Sequence, residues 1–474
     1  MTPKAFFIDG EWVSSPQSSE IKNPYTHEPV GSYFQASPEQ VEQAFQSAHE
    51  AFKRNRELTP AARGLFLGEV AAVIRRRSQE FVDLLIREAG KPVTQAEAEV
   101  ARAQYTFLFA ASECRQPTGE LIALDGSEWG KKHTGSVHRL PIGVIFGITP
   151  FNFPLNLVAH KVAPALASGN AIVIKPSPRT VLTALLLAES LQEAGVPSGL
   201  VNIVPFDVSL MDRYYNDERV KMISFTGSAA VGWKIKEKCN AKKVCLELGG
   251  NAAAIVHDDA EWENKIAPIA TGAFGYAGQS CISIQRVYVQ SRIYGAFRDA
   301  LLGYVKAKVK VGDPRERETV IGPMIASEAV QKVAKWVDQA VAAGAKLATE
   351  KTIDGQCVGP IVLEQVPEDQ PISCEEAFAP VVVLQPYDDF GDAIAKVNRS
   401  QWGMQTGVFT RDLKLAHQAF ESLEVAAVLI NQVPTFRVEN MPYGGIKLSG
   451  FGREGVKYAM EEMTERKTLI VNYG

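Results

Sequence analysis

The sequence predicts an α/β fold: two doubly wound domains and an extended β-hairpin arm. Three observations predict it. Short apolar strands alternate with helices across residues 144–247, and the pattern restarts after Gly250. A chain of 474 residues is too long for one ordinary core, so two or three domains are expected. Residues 122–140 carry Gly126, Gly130 and Gly135 and end in Ser136-Val137-His138-Arg139-Leu140, which reads as a hairpin leaving the main body.

The elements follow in order. Residues 1–35 read as short strands, 5–8 and Glu11–Val13, with a turn at Asn23-Pro24. Ser37-Pro38-Glu39-Gln40 is a helix start, with serine as the cap and proline at the first position, and helical periodicity runs to Phe52. Helices are expected over 60–77, 79–88 and 95–114. After the hairpin come strand Val144–Ile148, helix 157–166, strand 171–174 and helix Val181–Glu193. Strands 200–204 and 222–225, helix Ala229–Lys238 and strand Lys243–Glu247 close the first run. The second opens with strand Ala252–Val256, one helix over 262–277 and strand 286–289. Helices 294–308 and 327–343 and strands 380–386, 407–409 and 428–431 complete it. The tail, 466–472, is a terminal strand. Its free edge needs the 122–140 hairpin or another subunit as partner.

Composition narrows the function classes. Hydrophobic content of 46% and charged content of 22% fit a soluble globular protein. The net charge of -4, with no long basic run, argues against a nucleic-acid surface. No run of about 18 apolar residues suggests a membrane span, and the first ten residues lack the apolar core of a signal peptide. The six cysteines form no C-x-x-C pair and no zinc spacing, so no metal is expected. Sparse cysteines point to a reducing cytoplasm, which suits a thiol that must stay reduced to attack.

Chemistry concentrates at the ends of strands. Gly278-Gln279-Ser280-Cys281 sets a cysteine among small residues, and Leu246-Glu247-Leu248-Gly249-Gly250 sets a glutamate at a strand end. A thiol and a carboxylate suffice for covalent catalysis with a general base; the plain alternative for the cysteine is a small buried hydrophobe. Thr149-Pro150-Phe151-Asn152-Phe153-Pro154 puts an amide at a strand's carboxyl end, either to donate to an oxyanion or as a turn asparagine. Lys175-Pro176-Ser177-Pro178 follows a strand, and its lysine either bonds ribose or phosphate or is solvated. Phe225-Thr226-Gly227-Ser228 opens a helix whose N–H groups favour a pyrophosphate, or which serine merely caps. No G-x-G-x-x-G occurs.

Seven segments together resemble the aldehyde dehydrogenase superfamily over essentially the whole chain. They are the five just quoted plus Glu375-Glu376-Ala377-Phe378 and Pro442-Tyr443-Gly444-Gly445. Their order and spacing make the resemblance specific. The run 454–465 resembles a subgroup of lactaldehyde, non-phosphorylating glyceraldehyde-3-phosphate and phosphonoacetaldehyde dehydrogenases.

The resemblance implies two Rossmann-like domains with a β-hairpin oligomerisation arm. Residues 1–121 and 141–248 would bind the dinucleotide, 249–447 would be catalytic, and 122–140 with 448–474 would form the arm and tail. It implies a homodimer or homotetramer acting on a small aldehyde with NAD or NADP, without nucleic-acid or membrane partners. Cys281 would be the nucleophile, Asn152 and the Cys281 N–H the oxyanion donors, and Glu247 the base that hydrolyses a thioester. Thr149, Pro150, Phe151, Lys175, Ser177, Pro178, Phe225, Thr226, Gly227, Ser228, Leu248, Glu376 and Phe378 would bind the cofactor. Glu454 would relay protons or be a surface carboxylate, and Glu375 would be a structural neighbour.

Departures from the family pattern shape the finer expectations. Pro178 stands where many NAD-preferring members carry a glutamate, so NADP should be accepted. Pro205-Phe206-Asp207-Val208 replaces a glycine-containing loop, and Ala379 replaces a glycine. Arg102 and Arg437 match two arginines that hold anionic aldehydes in relatives, while Ser280 stands where a third is common. The plain alternative for the pair is interdomain salt bridges. Two rival functions remain: a CoA-acylating enzyme, which Glu247 disfavours, and a non-catalytic protein with the same fold, which intact Cys281, Glu247 and Asn152 disfavour.

Overall fold

The computed structural model describes residues 2–116 and 119–474. Its first sheet has eight strands. In spatial order they are Glu11–Val13, Phe6–Ile8, Val201–Ile203, Ala171–Lys175, Val144–Ile148, Val220–Thr226, Lys243–Glu247 and Gly450–Phe451. The five inner strands are parallel and both margins are antiparallel. After the marginal N-terminal strands, the chain re-enters mid-sheet at Val144–Ile148, works outward to Val201–Ile203, then returns to lay Val220–Thr226 on the other side. The loops leaving those two neighbours therefore part, and open sheets bind ligands at such a reversal. The inner strands are buried along almost their whole length, with core packed on both faces, so they read as unbroken apolar runs.

The helices start where the sequence marks them. The Ser37 hydroxyl accepts the Gln40 N–H, and the Gln40 side chain accepts the Ser37 N–H, closing a capping box on Pro38–Arg54. The Thr59 hydroxyl accepts the Ala62 N–H and caps Pro60–Arg76 without a return bond, and left-handed Gly90 ends Ser78–Ala89.

The second sheet has seven strands. They are Lys346–Leu347, Ile361–Glu364, Val381–Tyr387, Ile284–Gln290, Ala252–Val256, Gln405–Phe409 and Ala427–Ile430, all parallel except the first. A third sheet joins Glu120–Ile122, His133–Pro141 and Thr464–Asn472. The terminal strand runs antiparallel to the hairpin from Thr464 opposite Pro141 to Asn472 opposite His133. Its outer edge stays open, with Leu469, Ile470 and Val471 exposed. Before it, Gly450–Phe451 and helix Val456–Glu462 return to the first sheet and its core. Among the described residues no helix is long and apolar enough to cross a membrane.

One expectation fails in an informative place. The single helix expected over 262–277 is a 3-10 turn, Trp262–Lys265, then an α-helix, Ile266–Phe274. Tyr276 and Ala277 then turn left-handed, at φ 53° and 54°, and Gly278 follows at φ 66°. Apolar periodicity continues through these residues, but tertiary contacts override it. The elements Ile361–Glu364, Phe390–Asn398, Leu413–Ser422 and Val456–Glu462 were not marked by the strongest sequence signals.

Candidate active site

A cavity of about 570 Å³ opens where the carboxyl ends of the first sheet meet the loop entering strand Ile284–Gln290. Every site residue expected from sequence lines it except Glu454. Cys281 reaches it because two backbones approach unusually closely. A Cβ on Gly278 would lie 2.2 Å from the Ala379 carbonyl oxygen, and one on Gly250 would lie 2.1 Å from that of Cys281. Only glycine fits either position.

Cys281 is half-buried, and its Sγ lies 2.9 Å from the Tyr443 hydroxyl. Burial pushes the thiol up to about 12; the Tyr443 hydrogen bond and Arg437 oppose that, while Glu247 and Glu376 add to it. The Cys281 backbone N–H finds no intramolecular acceptor among the described residues. Asn152 donates one amide hydrogen to the Gln279 carbonyl at 3.0 Å, leaving its second beside the cysteine loop. Glu247 is buried at the cavity wall with both carboxyl oxygens unpartnered. Burial lifts its carboxyl well above the usual range and the Glu454 charge lifts it further, against Arg437 and Lys161. The arrangement offers a nucleophile, two hydrogen-bond donors for a developing oxyanion, and a carboxyl group tuned upward for proton transfer.

Behind the wall lies a buried charge network. Lys161 donates to Ser224 at 3.0 Å, Thr226 at 2.8 Å and Glu454 at 2.9 Å. Glu454 is only 2% exposed, so the surface alternative for it is wrong. Burial raises its carboxyl, but Lys161, His160 and Arg437 outweigh burial and hold it below the usual range. Glu439 binds both Arg102 and His160. Arg437 stacks its guanidinium 3.6 Å from the Tyr443 ring centre and approaches Glu454 at 3.5 Å. Its Nε and Nη2 have no hydrogen-bond partner.

The other end of the cavity suits a dinucleotide. Lys175 makes no side-chain hydrogen bond or ion pair among the described residues, and burial drops its pKa to about 8 against the pull of Asp207. Ser228 begins helix Ala229–Lys238 without a side-chain cap, which leaves the first N–H groups facing outward. Glu376 accepts the Gly250 N–H at 3.0 Å; burial pushes it up to about 7, with Lys332 opposing. Left-handed Phe378 meets Phe151 edge-on at 6.0 Å. A Cβ on Gly249 would sit 2.5 Å from the Glu376 carboxyl, so the strand end stays open there. Pro178 and Ser177 line the same end, and no acidic side chain stands at 175–179. These residues fit a nicotinamide dinucleotide, including one with a 2′-phosphate.

Sequence reasoning missed several members of the site. Tyr443 lay inside a quoted motif but had no role. His160 and Lys161 were the only ionisable residues in the otherwise apolar helix Asn156–Ala167, a signal that goes unread without the fold. Val208, in the loop that replaces the glycine-containing one, and Met211, at the start of the short helix Met211–Tyr215, line the cavity. Glu439 carried no sequence signal beyond its nearness to Arg437.

Residues 12–469 match the aldehyde dehydrogenase family. The chain is 38% identical over 467 residues to 3-sulfolactaldehyde dehydrogenase of Priestia megaterium, covering 98% of this chain and 97% of that one. Aldehyde dehydrogenase 21 of Physcomitrella patens, solved with the reaction product succinate, superposes with a TM-score of 0.97 at 40% identity over 100% of both chains. NADP-dependent glyceraldehyde-3-phosphate dehydrogenase of Bacillus halodurans, solved with NADP, superposes with a TM-score of 0.96 at 32% identity, again over 100% of both.

Proposed function

The chain belongs to the aldehyde dehydrogenase family and is an NAD(P)-dependent aldehyde dehydrogenase; from that premise we propose that it converts a small anionic aldehyde to its acid through a thioester on Cys281. The observation that carries this reading is one cavity wall holding the Cys281 sulfur, the Asn152 amide and the unpartnered Glu247 carboxyl. Cys281 attacks the aldehyde carbon. The free Asn152 amide hydrogen and the Cys281 N–H hold the oxygen as it becomes an oxyanion. When bound, the nicotinamide supplies the hydride acceptor. Glu247 then takes a proton from the water that hydrolyses the thioester. Lys175 and Glu376 hold the two riboses, and the helix start at Ser228 faces the pyrophosphate.

The anionic-substrate reading is supported by Arg102 and Arg437 lining the cavity beside Ser280; both also form ion pairs, Arg102 with Glu439 and Arg437 with Glu454, as the salt-bridge alternative expected. The relatives point the same way: their names carry a sulfonate, a carboxylate product and a phosphate. The sequence-based division is kept: 1–121 with 141–248 for the cofactor, 249–447 for catalysis, 122–140 with the tail for assembly. Segment 450–463 packs on the first part. The open, apolar edge of Thr464–Asn472 supports a homodimer or homotetramer, which sedimentation equilibrium would read as mass.

Glu247→Gln tests hydrolysis. It should form about one reduced nicotinamide per site in a burst and then turn over roughly 10²- to 10⁴-fold more slowly. Undiminished steady turnover would refute the assignment. Acyl-CoA as the product in the presence of CoA would favour the CoA-acylating rival.

A further inference from the structure

We propose that Tyr443 is the hydrogen-bond donor that holds the Cys281 thiolate, and that Arg437, stacked on the Tyr443 ring, is a positioning residue acting through it. The proposal rests on Cys281 being the nucleophile. The Tyr443 hydroxyl lies 2.9 Å from Sγ and has no other partner among the described residues. A phenylalanine would fill the same ring space among Ile282 and Met404, so packing alone gives no reason for the hydroxyl. The phenol is also fixed from behind. The Tyr443 N–H donates to the Glu454 carbonyl at 2.9 Å, and the Glu454 N–H donates back at 2.7 Å. That bridge fixes the main chain from which the ring reaches the sulfur, and the Arg437 guanidinium lies against the ring face.

Arg437 completes the device. Its guanidinium lies 3.6 Å from the Tyr443 ring centre, and its side chain is 6% exposed. A cation over a π face in a dry site draws electron density from the ring and makes the phenol a stronger donor. Burial and the neighbouring thiol keep the phenol protonated well above its usual range, against the pull of Arg437. Tyr443 is therefore a standing donor and not a competing base. The sulfhydryl proton leaves to solvent before the step; the thiolate then forms the carbon–sulfur bond as the carbonyl π pair moves onto oxygen, and Glu247 stays free for the hydrolytic water. Tyr443 keeps its proton throughout and lends only its hydrogen bond.

The thiolate's other charged neighbours are Glu247 at the end of strand Lys243–Glu247, Glu376 in the 375–378 turn, and Arg437. All of them remain in Tyr443→Phe, so that change isolates the hydroxyl. The test is the rate at which neutral iodoacetamide alkylates Cys281 in the full enzyme, followed across pH by the mass of the Cys281 peptide. Tyr443→Phe should lower the rate near pH 8 by about tenfold or more and move the midpoint to higher pH. Arg437→Gln should shift the midpoint the same way, and its effect in the Tyr443→Phe background should be smaller than alone. Replacing Tyr443 by 3-fluorotyrosine, a stronger donor in the same space, should move the midpoint down; this covers any failure of the Phe variant to fold.

A Tyr443→Phe profile that overlays the wild type, with Cys281→Ala inactive, would overturn the Tyr443 proposal alone. An active Cys281→Ala would overturn both this proposal and the function it rests on. An unshifted Arg437→Gln profile would overturn the positioning role of Arg437, because a group acting only on anionic substrates has no effect on a neutral reagent.

Discussion

Lys91→Met is expected to destabilise the enzyme by about 3 kcal/mol and to slow it without weakening cofactor binding. Lys91 is fully buried. Its ammonium pairs with Glu99 and lies 3.7 Å from the Phe153 ring centre and 4.5 Å from that of Tyr276. Glu99 also accepts the N–H groups of Leu155 and Asn156, at 2.9 and 3.1 Å, and the Tyr276 hydroxyl donates to Ala89 at 3.2 Å. One cation thus ties the Asn152 loop to the left-handed turn that presents Cys281. Removing one partner of a buried pair costs roughly 3–5 kcal/mol, and each desolvated ring contact is worth up to about 2 kcal/mol, not additively. Glu99 keeps two backbone donors at a helix start, which places the net near the lower end.

Unfolding entropy of about 2 cal/mol/K per residue gives roughly 1 kcal/mol/K for a chain of this length, so Tm should fall by about 3 °C. Left-handed Tyr276 and Ala277 each cost about 1–2 kcal/mol, and the turn should relax once Lys91 is gone. A misplacement near 1 Å slows catalysis on the order of 100-fold. Calorimetry reads the first effect, and kcat with the cofactor KM reads the second. An unchanged Tm together with an unchanged kcat would refute the reasoning.

Two further predictions concern the cofactor. Pro178→Glu should weaken NADP against NAD by about fivefold or more in KM ratio, since a carboxylate placed beside a 2′-phosphate costs about 1 kcal/mol even in water-like surroundings; an unmoved ratio would separate position 178 from the 2′-phosphate. In the proposed role, Glu376 accepts ribose hydroxyls more strongly when ionised, and burial pushes it up to about 7. Cofactor KM should therefore rise as pH falls through about 7, and Glu376→Gln should show a raised KM without that slope.

Most of the fold was legible because the elements announce themselves locally. Ser37 and Gln40 form the box their spacing promised, and buried strands such as Ala252–Val256 match residue for residue. The helix expected over 262–277 failed because the contacts of Tyr276 with Ala89 and Lys91 come from residues nearly two hundred positions away, and no local pattern encodes them. The same holds at the site. Cys281, Glu247 and Asn152 lie in motifs of strong local character. Tyr443, Lys161 and Glu439 matter through partners distant in sequence, such as the Thr226 that Lys161 meets. Glu454 was readable as surface or relay because only the fold shows that Lys161 waits beside it.

The buried network also explains how two carboxyl groups in one region take different parts. Glu454 and Glu247 lose water alike, yet their pKa values move in opposite directions. Lys161 donates directly to Glu454, and His160 and Arg437 add to that field, so Glu454 remains an anion. Glu247 accepts no hydrogen bond and feels the Glu454 charge as its largest influence after burial. Glu454 thus acts as the fixed charge that raises its neighbour's hold on a proton. Carboxyl groups pushed apart in this way mark acid–base assignments, and the split supports the proposed part of Glu247 as the group that moves the proton.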